Sequence, residues 1–325
     1  MKAIQLTGPK NIELVDMPKP TPSEGEVLVR AERLSICGSD MRAFRRVLPE
    51  EDYPLKPGGM CHEIVGIIEE SREPSISPGL RVIALPSSES GSNLSGGGSE
   101  YMVTSANRII PLPDNADPST FIMCQPVGTV LFACQRMGSV FGKSVVVLGQ
   151  GAIGLSFTSL LSGQGAREIV GVDLHDYRLA KSSEQGATLT LNPLKEDVFG
   201  AVSDLTGGYG ADIVVEATGT AEGFNMIPDV IRQYGTAILF GLPEEEIIPF
   251  QHMKWLLKAP TIIPTHSASS PDPTRAIKEA VYLADQGRLD VNWLVTHNLS
   301  FDQAPEAYEM YEGYTDNIIK VIMTP

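Results

Sequence analysis

At 325 residues, with 42% apolar and 20% charged side chains, the chain is long enough to bury a large core and to divide into two domains. Its 25 Lys and Arg stand against 40 Asp and Glu, a net charge of −15. That field opposes nucleic acid and anionic membranes as partners.

Met1-Lys-Ala-Ile-Gln-Leu-Thr-Gly-Pro9 leads directly into a strand and lacks the apolar centre of a signal peptide. Residues 1–110 read as β-rich. The runs Ala3–Leu6, Glu26–Ala31, Ile64–Glu69, Arg81–Leu85 and Tyr101–Thr104 are separated by Pro and Gly. Ser87–Ser99 is rich in Ser and Gly and is expected to be a surface loop. From Pro126 the period changes to a helix ending near Met137. Strands then follow at Ser144–Leu148, Ile169–Val172, Ile213–Glu216 and Thr236–Phe240, with helices at Ala152–Ser162 and Tyr177–Gln185. Such alternation predicts an α/β fold with a doubly wound parallel sheet. After Pro260, Thr274–Gln286 reads as an amphipathic helix and Asn317–Met323 as a last strand. The expected division is a β-rich domain over 1–121 and 265–325, interrupted by a nucleotide domain over 122–264. Val145–Leu161 is apolar, but Gln150, three glycines and two serines break it, so no membrane span is expected. Cys37, Cys61, Cys124 and Cys134 form no C-x-x-C pair and no disulfide framework. Reduced thiols and a cytoplasmic location are expected.

Within the nucleotide domain, Val145–Leu148 runs into Gly149, Gly151 and Gly154 at G-x-G-x-x-G spacing, with a helix behind. The glycines supply a tight turn, close backbone approach to a pyrophosphate, and close helix-on-strand packing. Helix N-terminal N–H groups, those of Ala152 and Ile153 among them, favour phosphate. Asp173 ends the next strand 19 residues after Gly154, where a carboxylate accepts from a ribose 2′-OH and repels a 2′-phosphate. NAD is therefore expected over NADP, with Arg178 added to the cofactor set.

Two groups in the β-rich part carry other chemistry: Cys37-Gly-Ser-Asp40 and His62-Glu63. Thiolate and imidazole are natural zinc ligands, and a catalytic zinc uses three protein ligands with one open position. On spacing alone, a packed thiol and a histidine satisfied by a neighbouring acid account for the same residues.

Taken in order, Cys37-Gly-Ser-Asp40, His62-Glu63, Gln125-Pro126 and Val147-Leu-Gly-Gln-Gly-Ala-Ile-Gly154 resemble the zinc-dependent medium-chain dehydrogenases of alcohols, polyols and threonine. The resemblance spans essentially the whole chain. It implies a GroES-like catalytic domain, a Rossmann domain and an active site in the cleft between them. Position by position, it implies Cys37 and His62 as zinc ligands and Asp40 as the acid that orients the histidine. Glu63 becomes an acid beside the metal, and Ser39 the hydroxyl that meets the substrate oxygen and starts proton exit. Thr129 falls near the nicotinamide and Lys320 near the cofactor phosphates. Relatives form dimers or tetramers through the nucleotide domain, so a homo-oligomer is implied, with Thr236–Phe240 and its sequel extending a sheet between subunits.

The departures also count. Gln125 stands at the third ligand position, as in some aldose dehydrogenases of the superfamily, with Cys124 as a competing ligand and Glu63 a further alternative. Cys61 replaces the usual Gly before His-Glu, and Arg42 replaces the histidine that ends the proton relay. Because no cysteine lies in Ser87–Ser99, the lobe that holds a structural zinc in many relatives is absent, and at most one zinc per chain is expected. The implied function is zinc-dependent hydride transfer between NAD and a secondary alcohol, polyol or sugar. A zinc-free NAD(P)H reductase of the same superfamily, or a cofactor-binding protein with a degenerate metal site, are the alternatives. For substrate contacts, Arg42, Arg45 and Arg46 read either as an anion site or as an exposed basic turn, and His266 as a contact or a solvated loop residue.

Overall fold

The computed structural model describes residues 1–87, 96–243, 245–265 and 270–325. Its elements follow the expected change of period. Lys2–Gly8 (β1) and Asn11–Asp16 (β2) form a hairpin, followed by Glu26–Ser35 (β3), Gly38–Arg45 (α1), Glu63–Ser71 (β4), Arg81–Ala84 (β5), Tyr101–Ser105 (β6), Ile109–Pro111 (β7), Pro118–Phe121 (α2) and Cys124–Met137 (α3). Strands and helices then alternate: Ser144–Leu148 (β8), Ala152–Gly163 (α4), Glu168–Val172 (β9), Asp176–Glu184 (α5), Leu189–Leu191 (β10), Val198–Leu205 (α6), Ala211–Glu216 (β11), Ala221–Val230 (α7), Ile231–Leu239 (β12), His252–Lys258 (α8) and Thr261–Pro264 (β13). The chain closes with Arg275–Asp285 (α9), Val295–Ser300 (β14), Ala304–Gly313 (α10) and Lys320–Thr324 (β15). No helix among the described residues is long and apolar enough to cross a membrane.

Two units result, Met1–Gly128 with Asp272–Pro325, and Thr129–Pro271. The sequence expectation placed the joints at 121/122 and 264/265. Helix α3 runs unbroken from Cys124 to Met137 through Pro126 and Gly128, so the first joint falls inside a helix rather than at a loop.

In the first unit a seven-stranded sheet runs β14-β15-β3-β4-β5-β7, with β6 also paired to β3. Its core gathers Ile4, Leu6, Leu34, Ile36, Met41, Phe44, Met60, Ile64 and Tyr308. Register matters most at one end. Ser35, the last residue of β3, pairs with Glu63 at the start of β4 and with Ile322 of β15. The segments carrying Cys37, His62 and Lys320 therefore issue from adjacent strands. The last strand starts at Lys320 rather than at Asn317. Tyr314, Asp316 and Asn317 take left-handed φ of 50°, 54° and 56°, a conformation no strand accommodates.

The second unit is a six-stranded sheet, β10-β9-β8-β11-β12-β13, with every pairing parallel. Numbered within the unit this is 3-2-1-4-5-6, the Rossmann order. Both faces are covered, which explains why β8 is apolar throughout. Val146 and Leu148 pack with Val170 and Val172 on one side. Val145 and Val147 pack with Ile169, Ile213 and Phe157 on the other. Thr236–Phe240, expected to lie at a subunit edge, falls in and just beyond β12, which is flanked by β11 and β13. The edge strands are β10 and β13; β13, in the sequel of that segment, has four residues, too few to show a period in the sequence.

Candidate metal centre and dinucleotide turn

Cys37 ends the connection out of β3 and caps α1. Asp40, buried in the first turn of that helix, reaches back so that its Oδ2 accepts the Cys37 N–H at 2.8 Å. Its Oδ1 accepts the Cys61 N–H at 2.8 Å. One carboxylate thus fixes the backbone at Cys37 and the backbone one residue before His62. Burial raises the pKa of Asp40, opposed by His62 and by the two N–H donors. Asp40 thus acts on His62 through charge and through the backbone of Cys61 rather than by a hydrogen bond to the ring. Ser39 meets that ring instead, its Oγ 3.5 Å from His62 Nδ1. With Nδ1 protonated and donating to Ser39, Nε2 keeps a lone pair for a metal.

Cys61 takes a left-handed φ of 61°, a conformation that glycine adopts at lower cost. Its side chain is buried with Sγ 3.7 Å from the Tyr308 hydroxyl.

Ligand atoms of Cys37, His62 and Glu63 lie within 4.8 Å of one another, a group able to hold a metal ion. Burial opposes charge on His62. Cys37, coulombically and by hydrogen bonding, outweighs that with help from Asp40 and Glu63, and the ring's pKa is raised to about 10. The groups that raise it, Cys37, Asp40 and Glu63, are ones that favour a cation beside them. Sulfur, imidazole nitrogen and carboxylate oxygen form a donor set that suits zinc.

Gln125 lies in the first turn of α3 and is 7% exposed. An amide oxygen there is a donor of the kind a metal accepts, though a weaker one than thiolate or carboxylate. The neighbouring Cys124 is fully buried, and burial pushes its thiol up to about 12. That makes it a poor competitor for a metal, since the thiolate is the ligand form.

Lys320 sits elsewhere than the resemblance implied. Its Nζ donates to Glu63 Oε1 and Oε2, both at 2.6 Å, and to the Ile36 carbonyl at 2.9 Å. An ammonium has three protons, so none remains for a cofactor phosphate, and the side chain is buried. Glu63 itself is fully buried. The basic turn also divides. Arg45 is taken by Glu312 at 2.6 Å, whereas Arg42 is half-buried and Arg46 exposed. His266, and Ser88–Asn93, Leu94 and Ser95 of the Ser/Gly-rich stretch, lie outside the described residues.

In the second unit the glycines do the expected mechanical work. Gly149 ends β8 with φ of +85°. A Cβ on Gly154 would fall 1.7 Å from the Gly149 carbonyl oxygen, so only glycine lets α4 approach the turn this closely. Gly151 is the N-cap of α4 and no side chain caps that helix, leaving its first N–H groups, at Ala152 and Ile153, to bind an anion. Asp173 follows β9, as expected, and also has a structural task. Its Oδ2 accepts the Gln150 N–H at 2.6 Å and its Oδ1 the His175 N–H at 2.9 Å. Arg178 Nη1 stands 3.8 Å from Asp173 Oδ2, and its Nε donates to the Tyr177 hydroxyl at 3.1 Å. Thr129, one turn beyond Gln125 in α3, is half-buried and opens this unit.

Sequence reasoning missed a cavity of about 740 Å³ in this unit, at the carboxyl ends of β11, β12 and β13. Glu216, Gly219, Phe240 and Gly241 line it. The Glu216 carboxylate shapes the floor by accepting the Thr218 and Gly219 N–H groups at 2.7 and 2.9 Å. Glu216-Ala-Thr-Gly219 after an apolar run was a legible turn signal. Its partners come from three strands, however, and only the fold assembles them.

Comparison with known proteins fits this geometry. Residues 23–114 match the family model of the alcohol dehydrogenase GroES-like domain, and residues 152–283 that of zinc-binding dehydrogenases. An alcohol dehydrogenase of Cupriavidus necator is 28% identical over 369 residues, covering 100% of this chain and 99% of its own length. Among solved structures, the alcohol dehydrogenase of Thermus sp. ATN1 superposes with a TM-score of 0.88 at 22% identity, over 100% of both chains. A zinc-binding dehydrogenase of Sinorhizobium meliloti bound to NADP superposes with a TM-score of 0.84 at 24% identity, over 100% of this chain and 99% of its own.

Proposed function

Because the chain belongs to the zinc-type medium-chain alcohol dehydrogenase family, we propose that it is a zinc- and NAD-dependent oxidoreductase moving a hydride between nicotinamide and a secondary alcohol, polyol or sugar. The observation that carries this reading is the convergence of Cys37, His62 and Glu63 on one point. A zinc-free reductase has no use for that group.

Cys37 and His62 would hold the zinc, with the buried amide of Gln125 as third ligand and Glu63 beside it. Bound there, zinc supplies a Lewis acid that favours ionisation of the substrate hydroxyl. Ser39 takes the hydroxyl proton as the alcohol carbon gives up its hydride. Half-buried Ser39 adjoins exposed Gly38, so the proton passes to water. Arg42, in the same helix, stays protonated and cannot receive it. A bound nicotinamide would supply the hydride acceptor, and the protein's share is alignment.

Two features support NAD. The uncapped start of α4 faces the glycine turn, where a pyrophosphate binds. Beside it, Asp173 lends negative charge against a 2′-phosphate. The cavity at the ends of β11–β13 has the volume of a small-molecule site and would take the nicotinamide half, with Thr129 near the ring. A homo-oligomer is supported by the outer edge of β13, which no described strand covers. Apolar Ile262, Met253, Leu256 and Leu257 are 45–67% exposed around it, the kind of edge a second copy protects. The four cysteines are free, in keeping with a reducing, cytoplasmic setting.

The test is metal analysis of the purified protein together with NADH formation at 340 nm over secondary alcohols, polyols and aldoses. We expect one zinc per chain and turnover that prefers NAD to NADP. Protein that holds no zinc when grown in zinc-replete medium, and transfers no hydride, overturns the reading.

A further inference from the structure

Lys320 and Glu63 are the most deeply buried ion pair in the described structure, with side chains 4% and 0% exposed. Removing two charges from water is costly, and only tight geometry with every remaining donor satisfied offsets it. That condition is met. Both Glu63 oxygens accept from Nζ at 2.6 Å, and the third proton goes to the Ile36 carbonyl at 2.9 Å. The Tyr311 hydroxyl braces the group, 3.3 Å from the carbonyls of Ile36 and Ile319 while accepting the Val321 N–H at 3.1 Å. Ile36 precedes Cys37 and Glu63 follows His62, so one ammonium ties together the two segments that present sulfur and imidazole.

The same geometry has an electrostatic side. Glu63 offers a carboxylate oxygen within 4.8 Å of the Cys37 and His62 ligand atoms. Left unpaired beside a divalent cation, such an oxygen would be drawn onto it. Here an ammonium already holds both oxygens. With Gln125 as a neutral third ligand, one thiolate against a divalent ion leaves a first shell of charge +1. Recruitment of Glu63 would bring that to 0 and fill the position a substrate oxygen needs.

We propose that Lys320 is a positioning residue that restrains the Glu63 carboxylate outside the metal's coordination shell, keeping one position open and the centre positively charged. This rests on the reading that Cys37 and His62 hold a metal.

Cobalt(II) loaded in place of zinc into the full-length protein gives the test, because its visible d–d bands report coordination number and its near-ultraviolet charge-transfer band reports thiolate ligation. In the wild type, a charge-transfer band at one cobalt per chain is expected. Lys320→Met frees Glu63. Its d–d bands should weaken and shift as a further ligand joins, and release of cobalt to a chelator should slow by about ten- to a hundredfold, the usual reach of an outer partner on metal affinity. Lys320→Arg should restore the wild-type bands, and the double variant Glu63→Gln with Lys320→Met should lose the change altogether. A merely structural strap would lower Tm and leave the spectrum alone.

Lys320→Met with wild-type bands and release rate overturns the proposal, as does the same spectral change in the double variant. Glu63→Gln, which keeps an acceptor for Lys320, covers the case in which Lys320→Met does not fold. Its cobalt spectrum should match the wild type, and a shifted one shows Glu63 already in the shell and ends the idea. A wild-type protein lacking the charge-transfer band would instead remove the metal reading itself, and this proposal with it.

Discussion

The two candidate sites are built from opposite materials. In the first unit side chains carry the chemistry: sulfur, imidazole, carboxylate and ammonium converge from the ends of β3, β4 and β15. In the second unit the backbone carries it, and the informative residues are those that lack a side chain, Gly149, Gly151 and Gly154. Asp40 and Asp173 show a shared logic beneath the difference. Each is a buried carboxylate whose two oxygens fix two backbone N–H groups from separate turns. A site made of side chains fails by losing a ligand, and a site made of backbone fails by gaining an atom.

The sharpest way to break that contrast is to delete one ligand. Cys37→Ser should abolish retained zinc and lower turnover by about a thousandfold or more, since the Lewis-acid contribution is several kcal/mol at roughly 1.4 kcal/mol per tenfold. NADH affinity, read by fluorescence titration, should stay within about threefold, because nothing in the glycine turn depends on Cys37. Loss of NADH binding along with the metal would show that the sites are not separable in this way.

Adding a methyl is the complementary change. Gly154→Ala puts a Cβ 1.7 Å from the Gly149 carbonyl oxygen, and α4 must retreat from the turn. Overpacking of this kind costs about 1–3 kcal/mol, so NADH affinity should fall roughly ten- to a hundredfold with zinc content unchanged. An alanine variant that binds NADH as the wild type does would show that the turn tolerates displacement.

These two sites were unequally legible in the sequence. The glycine spacing, the buried strand before it and Asp173 after it are local, and local signals survive without a fold. Cys37 and His62 stand out in the sequence by residue type and the fold brings them together, but what surrounds them depends on which strands are neighbours. That Asp40 grips two backbone amides while Ser39 meets the imidazole follows from the way α1 is capped against the turn before β4. That Lys320 belongs to Glu63 follows from β15 pairing with β3, a contact between residues more than 250 positions apart. The short strands β10 and β13 and the cavity over β11–β13 were missed for a related reason. Three or four residues cannot display a period, and a cavity has no sequence of its own.

A smaller change tests the charge at the metal centre. Gln125→Glu adds one negative charge where the amide of α3 is buried. That charge disfavours ionisation of a bound hydroxyl and improves the ligand. The pH profile of alcohol oxidation should move up by about one unit, roughly 1.4 kcal/mol, and zinc should leave to a chelator about tenfold more slowly. An unmoved profile together with an unmoved chelator half-life counts against Gln125 as a ligand.

The smallest effect lies at the far end of the parallel sheet and should leave both sites alone. Asp212, near the start of β11, accepts from Ser144 N and Oγ at 2.9 and 3.0 Å and from Arg232 Nε at 2.8 Å, fastening the first residues of β8, β11 and β12. Burial pushes its carboxyl upward, but the Ser144 donors and the Arg232 guanidinium outweigh burial and hold it below the usual carboxylate range. A group depressed in the folded state contributes stability that is present above the unfolded pKa, about 3.9. That contribution is lost as pH falls through the folded value. Asp212→Asn should therefore cost about 1–2 kcal/mol at pH 7, read as a Tm lower by roughly 2–4 °C. The gap between variant and wild type should persist down to about pH 4 and close only below it. Because α4 and the glycine turn lie at the opposite ends of the same strands, NADH affinity should not change. A pH-independent gap would mean that the variant acts through packing, and a weakened NADH affinity would mean that the two ends of the sheet are coupled.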